Sequence, residues 1–390
     1  MKKTLWIIAL IAVVNALGYG IIIPILYSYS HKFGLSDFHN GLLFSIFSVF
    51  QFVATPLIGR LSDAYGRRPL LLISLFGTAL SFFIMAFAQN AAWLFIARAL
   101  DGLTAGNIPV ALAVISDTTE PKDRAKGFGI IGASFGLGFT FGPAISAFTI
   151  HLGAGVPFII AGFVALAAFL VTAVFLQETN THKGVAVTRH VFDFRHLFHA
   201  LVDPAIGKTL TVSFLVMLAF SIYIYAFQPM SVVVLHLSAQ QISIIFTVIG
   251  IIGLVSQGAV IPRALKLFGE RRLLVGSALS SVILFLVLFA ARSYPLFLAA
   301  VMLQAFTNGF ANPVIQALLS READQKSQGS IMGVNASYQS IGQIIGPIIG
   351  GVLSTIFIPL PFLASAAAMG VAALLSVQIL RKHLHQQALV

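Results

Sequence analysis

The sequence predicts an all-α integral membrane protein of twelve transmembrane helices, arranged as two pseudo-symmetric six-helix bundles. Three observations carry that reading: composition, the spacing of apolar runs, and an internal repeat. Of 390 residues, 58 % are hydrophobic and 9 % charged, with a mean hydropathy of +0.97. Soluble domains carry roughly 25 % charged residues, so this chain could not cover a water-facing surface. Secreted enzymes, cytosolic enzymes and nucleic-acid readers are excluded as first readings.

A membrane helix needs about 20 predominantly apolar residues. Twelve stretches meet that length, at 5–29, 39–58, 70–89, 92–115, 127–150, 156–177, 209–234, 240–261, 272–291, 295–319, 331–355 and 359–380. The first follows Met1-Lys2-Lys3 and resembles a secretory signal, but it is too long for a signal core and lacks a small-x-small cleavage site. It is expected to remain as a span. Between spans six and seven lies the longest polar stretch, with Glu178, Lys183, Arg189, Asp193, Arg195 and Asp203. The expected organisation is therefore an N-terminal bundle over 1–177, a cytoplasmic linker over 178–207 and a C-terminal bundle over 208–390.

The net charge of +11 could suggest a polyanion partner, but its distribution is that of a membrane topology. With the N-terminus in the cytoplasm, the cytoplasmic segments hold 20 of the 23 Lys and Arg. Only Lys32 and Arg292 fall on the other side, and Arg98 lies within span four. Positive charge stays inside, so both termini are expected in the cytoplasm, with the bacterial inner membrane as the expected location.

The halves repeat. The segment from Gly59 to Arg68 matches that from Pro262 to Arg271 at an offset of 203. Asn107 to Ser116 matches Ala311 to Ser320 at an offset of 204, and Gly138, Gly142 and Pro143 match Gly342, Gly346 and Pro347 at the same offset. Two parallel six-helix repeats imply a transporter with its site between the halves.

The loop after span two reads Gly59-Arg-Leu-Ser-Asp63-Ala-Tyr-Gly66-Arg67-Arg68-Pro69. Glycine permits tight turns, and Asp63 can pair with an arginine or cap a helix. This loop resembles the G-x-L-x-D-x-x-G-R-R/K motif of the major facilitator superfamily. The resemblance implies that Gly59, Asp63, Gly66, Arg67 and Arg68 form a cytoplasmic gate, a charge latch that breaks as the halves rock. In the second half Lys266 stands where Asp63 would be, which argues against a latch there.

Span five carries Gly138, Gly142 and Pro143, and span eleven Gly342, Gly346, Pro347, Gly350 and Gly351. Small residues four apart let helices meet backbone to backbone. The pattern is similar to the G-x-x-x-G-P-x-x-G-G motif of the drug:proton antiporter branch. Span eleven matches it in full, whereas span five ends on Ser146 and Ala147. The resemblance implies export.

Asp101 is the one acidic residue clearly within a span, about 14 Å deep at 1.5 Å per residue. Arg98 lies three residues earlier, on the same helix face. An intramembrane carboxylate is costly and marks function by default. Asp101 either carries a proton under the control of Arg98 or merely neutralises it. Arg98 and Gly102 also resemble the family's fourth-span R-x-x-x-G motif.

Span one, from Val14 to Pro24, resembles that of bacterial tetracycline-efflux antiporters, with Asn15 where those carry Asp. Asn cannot change charge, so a proton cannot load there; Asn15 and Tyr19 could instead bind substrate. Gln304, Asn308 and Asn312 recur every four residues in span ten, as do Asn335, Gln339 and Gln343 in span eleven. Each set is expected to share one helix face, either lining a cavity or joining helices. Gln228, Gln51, Gln257, Tyr223 and Tyr225 are weaker candidates of the same kind.

No metal or other cofactor is expected. Cysteine is absent. His182, His190, His196 and His199 in the linker and His383 and His385 in the tail match no zinc spacing. The spans offer no paired carboxylates for acid–base chemistry, so an enzyme is not expected, and no G-x-x-x-x-G-K-[ST] loop would bind ATP. The function expected is a secondary active transporter working by alternating access, exporting amphipathic small molecules with the proton gradient as energy source. A uniporter or symporter of a metabolite, such as a sugar or organic acid, is the alternative. The expected partners are a small-molecule substrate and the lipid bilayer, without nucleic acid, with the chain acting as a monomer.

Overall fold

Apolar side chains along whole helical turns leave a segment no water-facing side, and in lipid each backbone group must bond within its own helix. The computed structural model describes residues 2–120, 124–180, 201–203, 206–322 and 328–388. Among them are twelve helices long and apolar enough to cross a membrane, and no strand. They are α1 (Lys3–His31), α2 (Asp37–Tyr65), α3 (Arg67–Ala86), α4 (Ala91–Thr118), α5 (Gly129–Leu152), α6 (Val156–Phe175), α7 (Gly207–Val234), α8 (Ala239–Phe268), α9 (Glu270–Ala290), α10 (Tyr294–Glu322), α11 (Ile331–Ile356) and α12 (Leu360–Arg381). The fold is all-α, with the twelve spans that the hydropathy pattern predicts. The eighth runs further than the expected 240–261. The linker histidines His182, His190, His196 and His199 lie outside the described residues.

Two spans differ from the continuous helices expected of them. In α4, helix covers Ala91–Thr104 and resumes at Asn107–Thr118; in α10 it covers Tyr294–Asn308 and resumes at Ala311–Glu322. The cause is the same in both. Pro109 and Pro313 have no N–H to give the carbonyl four residues earlier, at Ala105 and Gly309, so the ladder parts there. The two prolines lie 204 residues apart, and so do the breaks. Further π-helical turns follow Pro229, at Met230–Val234, and precede Pro262, at Ser256–Val260.

The chain forms two compact units. Unit 1 comprises Met1–Ser36, Ile46–Val191 and Leu237–Gly250; unit 2 comprises Asp37–Ser45, Phe192–His236 and Ile251–Val390. Each unit takes in a short piece of the other half of the sequence: unit 2 the first residues of α2, unit 1 the first residues of α8.

The predicted glycines serve close helix approach. In unit 1, α5 lies on α1: a Cβ at Gly138 would overlap Ala16, and one at Gly142 would stand 2.8 Å from the backbone of Gly20. Pro143 packs against Gly20 in return. In unit 2, α11 lies on α7, with Gly342 against Met217 and Leu218 and Gly346 against Ser221 and Ile222. The departure in span five has a physical counterpart. Ser146 donates its hydroxyl to the Ile21 carbonyl at 3.2 Å, whereas Gly350, its repeat partner, lies beneath the Tyr225 ring. Gly351 and the backbone of Pro347 pack against Gly41, and Tyr225 donates to the Asp37 carbonyl at 2.5 Å.

Candidate functional site

Unit 1 holds a buried charged cluster around α4. Arg98 and Asp101 are 3 % and 8 % exposed, and Arg98 Nη1 lies 3.2 Å from Asp101 Oδ2. Thr78 on α3 donates its hydroxyl to the other carboxylate oxygen at 3.3 Å. The Arg98 guanidinium stands over the Phe47 ring of α2, 4.4 Å from its centroid, so its charge is shared between a carboxylate and a π face. Tyr19 on α1 meets the same ring edge-on at 5.4 Å and Phe139 of α5 at 6.2 Å. Gly102 makes the approach possible, since a Cβ there would overlap the Phe47 carbonyl. Arg98 Nε has no hydrogen-bond partner among the described residues. The pair thus lies buried next to the break in α4, where a proton on Asp101 would dissolve the ion pair.

Asn15 is already engaged. It donates to the Ile11 carbonyl at 3.0 Å and accepts from Asn107 Nδ2 at 3.0 Å. Asn107, 1 % exposed, opens the second segment of α4, and its own Oδ1 is unpartnered among the described residues. Sequence reasoning used Asn107 only as a repeat marker. It missed Thr78 and Phe47 altogether, because an isolated hydroxyl or ring carries no signal until folding sets it on a charge.

The amides of span ten do not form the one face expected of them, whereas Asn335, Gln339 and Gln343 of span eleven lie four apart on the unbroken helix Gln328–Ile356. The break at Gly309–Phe310 separates Asn308 from Asn312, so Gln304, Asn308 and Asn312 do not share one continuous face. Gln304 is 1 % exposed and donates to Ser281 on α9 at 3.2 Å. Asn312 instead accepts from Gln339 at 3.1 Å, and Gln339 also reaches Ser213 at 3.3 Å. Gln343 lies 3.7 Å from Met217 Sδ. Asn335 is 4 % exposed with Oδ1 unpartnered among the described residues, and Gln228 is fully buried. Tyr223 is buried among Phe285 and Phe362.

The residues of the Gly59–Arg68 motif bond to one another and to neighbours within unit 1. Arg67 Nη1 lies 2.5 Å from Asp63, Nε lies 3.2 Å from Asp117, and Nη1 donates to Ser62 at 2.7 Å. Gly66 has φ 112°, a conformation that disfavours any side chain, and a Cβ there would overlap the Glu178 carboxylate. That carboxylate accepts the backbone N–H of Arg67 at 2.8 Å and of Arg68 at 3.2 Å, capping the start of α3. It also accepts from the N–H groups of Thr179 and Asn180. Burial pushes the Glu178 carboxyl up, but these four donors outweigh it and hold it below the ordinary glutamate range. Arg68 donates to the Ala173 carbonyl at 2.5 Å, and Asn180 to that of Asp63 at 2.7 Å. Gly59 adjoins no neighbour within 4 Å of a notional Cβ. Asp117, Glu178 and Asn180 bond to the motif residues without belonging to the motif.

The second half carries an ion pair at the matching positions, with its charges reversed. Glu270, 203 residues after Arg67, pairs at 3.0 Å with Arg321, 204 residues after Asp117. Lys266 stands where Asp63 would be, and this pair forms instead between the start of α9 and the end of α10.

A twelve-span fold built from two six-helix repeats, with a buried ion pair beside a broken helix, defines a membrane transporter. The sequence matches the Major Facilitator Superfamily model over residues 8–266 and again over 209–388, and the chain belongs to that family. The tetracycline resistance protein, class B, of Escherichia coli is 29 % identical over 92 % of this chain and 90 % of its own length. The quinolone resistance protein NorA of Staphylococcus aureus is 28 % identical, covering 98 % of each chain. In fold, the human organic anion transporter TETRAN is similar with a TM-score of 0.72 at 23 % identity, covering 96 % of this chain and 99 % of its own. A bacterial homologue of the human lysosomal transporter Spinster reaches 0.78 at 15 % identity, with 96 % of each chain covered.

Proposed function

We propose that the chain is a secondary active transporter that exports amphipathic small molecules in exchange for protons. The observation that carries this reading is the buried Arg98–Asp101 pair in a chain related to tetracycline, quinolone and multidrug resistance proteins. A proton taken up by Asp101 neutralises the carboxylate and frees Arg98, which Phe47 then holds alone; loss of the proton restores the pair. Coupling this exchange to alternating access links proton entry to substrate exit. Asn15, Tyr19 and the amides Gln228, Gln304, Asn308, Asn312, Asn335, Gln339 and Gln343 would contact the substrate with neutral polar groups and rings, which suits a large apolar solute with few polar atoms. Uniport or symport of a metabolite is less well supported: a uniporter has no use for a buried carboxylate, and the relatives' names point to drugs.

The chain needs no cofactor in this reading; the proton gradient supplies the energy, and one chain holds both repeats and acts as a monomer. It lies in the bacterial inner membrane with both termini in the cytoplasm, as the side carrying 20 of the 23 Lys and Arg favours. The test is efflux of a fluorescent lipophilic dye and of tetracycline from proteoliposomes under an imposed pH gradient. Wild type is expected to accumulate or expel them in step with the gradient, and Asp101→Asn to lose that dependence while unfolding at the wild-type temperature. Gradient-driven efflux that continues in the variant would remove Asp101 as the proton carrier.

A further inference from the structure

The two repeats differ most plainly where their third and fourth helices meet. In unit 1, α3 and α4 close tightly: Ser74 donates its hydroxyl across to the Thr104 carbonyl, and Gly77 has no side chain to keep Thr104 away. The positions 203 residues on are Ser277, Ser280 and Thr307. There Ser277 and Ser280 turn back to carbonyls of their own helix, Leu274 at 3.1 Å and Ser277 at 3.0 Å, and Thr307 turns back to Gln304. Ser280 stands in place of Gly77 and lines a space between α9 and α10. Gly276 stands in place of Ile73, and nothing lies within 4 Å of where its Cβ would be.

The result is a groove of about 310 Å³ within unit 2, lined by Phe268, Leu273, Gly276, Ser277, Thr307 and Phe310, with Arg272 at its edge. That volume lies at the low end of small-molecule sites, roughly 300–1,000 Å³. Its hydroxyls are spent on their own helices, so its lining is apolar apart from one cation. Arg272 stands in the first turn of α9, at the end where a span meets the membrane surface, and it has no ion-pair or hydrogen-bond partner among the described residues. The nearby carboxylate of Glu270 is taken by Arg321. Along α9 the edge residues Arg272, Gly276 and Ser280 are spaced by four, which carries the groove about 12 Å inward at 1.5 Å per residue.

We propose that this groove binds an anionic phospholipid, its phosphate on Arg272 and one acyl chain between α9 and α10. An unpaired cation at the surface end of an apolar slot is complementary to a headgroup phosphate with its tail attached. A zwitterionic lipid would offset that phosphate with its own cation, and a free phosphate would leave the slot empty.

The experiment is thermal unfolding and native mass spectrometry of the purified full chain in detergent. The additions are phosphatidylglycerol, phosphatidylcholine or inorganic phosphate. Phosphatidylglycerol is expected to raise the unfolding temperature and remain bound, with the other two giving little. Arg272→Gln should weaken its apparent affinity about fivefold, as expected for one cation near an anionic surface. Gly276→Ile, which installs the residue of the first repeat, should block the tail. Arg263→Gln, a basic residue that does not line the groove, should bind as wild type. Equal stabilisation by phosphatidylcholine, full effect from inorganic phosphate, or unchanged binding in Arg272→Gln would each overturn the proposal. Should Gly276→Ile fail to fold, Arg272→Gln against Arg263→Gln decides it.

Discussion

Asp101 and Gln304 occupy the same seat in two copies of one architecture. Thr78 on α3 reaches Asp101 on α4; Ser281 on α9 is reached by Gln304 on α10, and both members lie 203 residues further on. The backbone break after each seat is shared too. What differs is chemistry. The first repeat puts an ionisable pair there, Asp101 with Arg98, while the positions 203 residues on from Arg98 and Tyr19 hold Val301 and Ile222. The second repeat fills the seat with an amide that cannot change charge. The loops after the second and eighth spans differ in another way: Arg67–Asp117 and Glu270–Arg321 are one bridge with its signs exchanged. The two repeats share the geometry and differ in the groups placed on it. The difference teaches that a repeat fixes where a functional group can sit, and the side chain decides whether it can hold a proton.

The largest effect should come from the two seats themselves. Asp101→Asn is expected to cut pH-gradient-driven efflux by about 100-fold, the scale of losing a proton-transfer group. Gln304→Leu should keep the pH dependence and cost about 1–3 kcal/mol of stability, by stranding the Ser281 hydroxyl. Comparing efflux-versus-pH curves of the two variants checks this; a lost pH dependence in Gln304→Leu would break the contrast.

Next comes Gly66→Ala, in the loop before α3. A side chain must adopt φ 112° and displace the Glu178 carboxylate. The expected cost is about 1–3 kcal/mol, read from chemical denaturation. The matching Gly269, at φ 75° with open space around it, should give a smaller loss on the same substitution.

A smaller effect concerns pH. Glu178 is held below the ordinary glutamate range in the folded protein. Its contribution is therefore fully present above the unfolded value and is lost as pH falls through the lowered folded one. Acid unfolding curves should show Glu178→Gln converging with wild type at the low end of that window and less stable than wild type above it. A constant gap at all pH values would assign the loss to packing instead.

The smallest effect is expected from the reversed bridge, because Arg321 is 70 % exposed. Glu270→Arg and Arg321→Glu should each lower stability slightly, and the double exchange should recover most of it. Exposed pairs couple by about 0.2–1 kcal/mol. A double-mutant cycle measures that coupling, and a zero value would reduce the pair to a surface contact without energetic weight.

Much was legible in the sequence because hydrophobic length, positive charge and repeat spacing are one-dimensional properties. The twelve spans, the close helix approach at Gly138 and Gly142, and the Asp63–Arg67 pair at i, i+4 all follow from residues close in sequence or from a small-residue pattern. The amide stripe in span ten failed because it assumed unbroken helix, although Pro313 was visible and its lost hydrogen bond predicts the break.

By itself, then, the sequence determined that the chain crosses a membrane twelve times in two repeats and carries one acidic group at depth, since lipid tolerates only helices and penalises each charge. Only tertiary structure decided the rest. It set Thr78 and Phe47 on the Arg98–Asp101 pair, tied Asn15 to Asn107, brought Glu178 to cap α3, paired Glu270 with Arg321, and opened a groove between α9 and α10 where the first repeat is closed. Those contacts join residues from about 20 to more than 100 positions apart, and packing between helices, not the period of any one helix, chooses such partners.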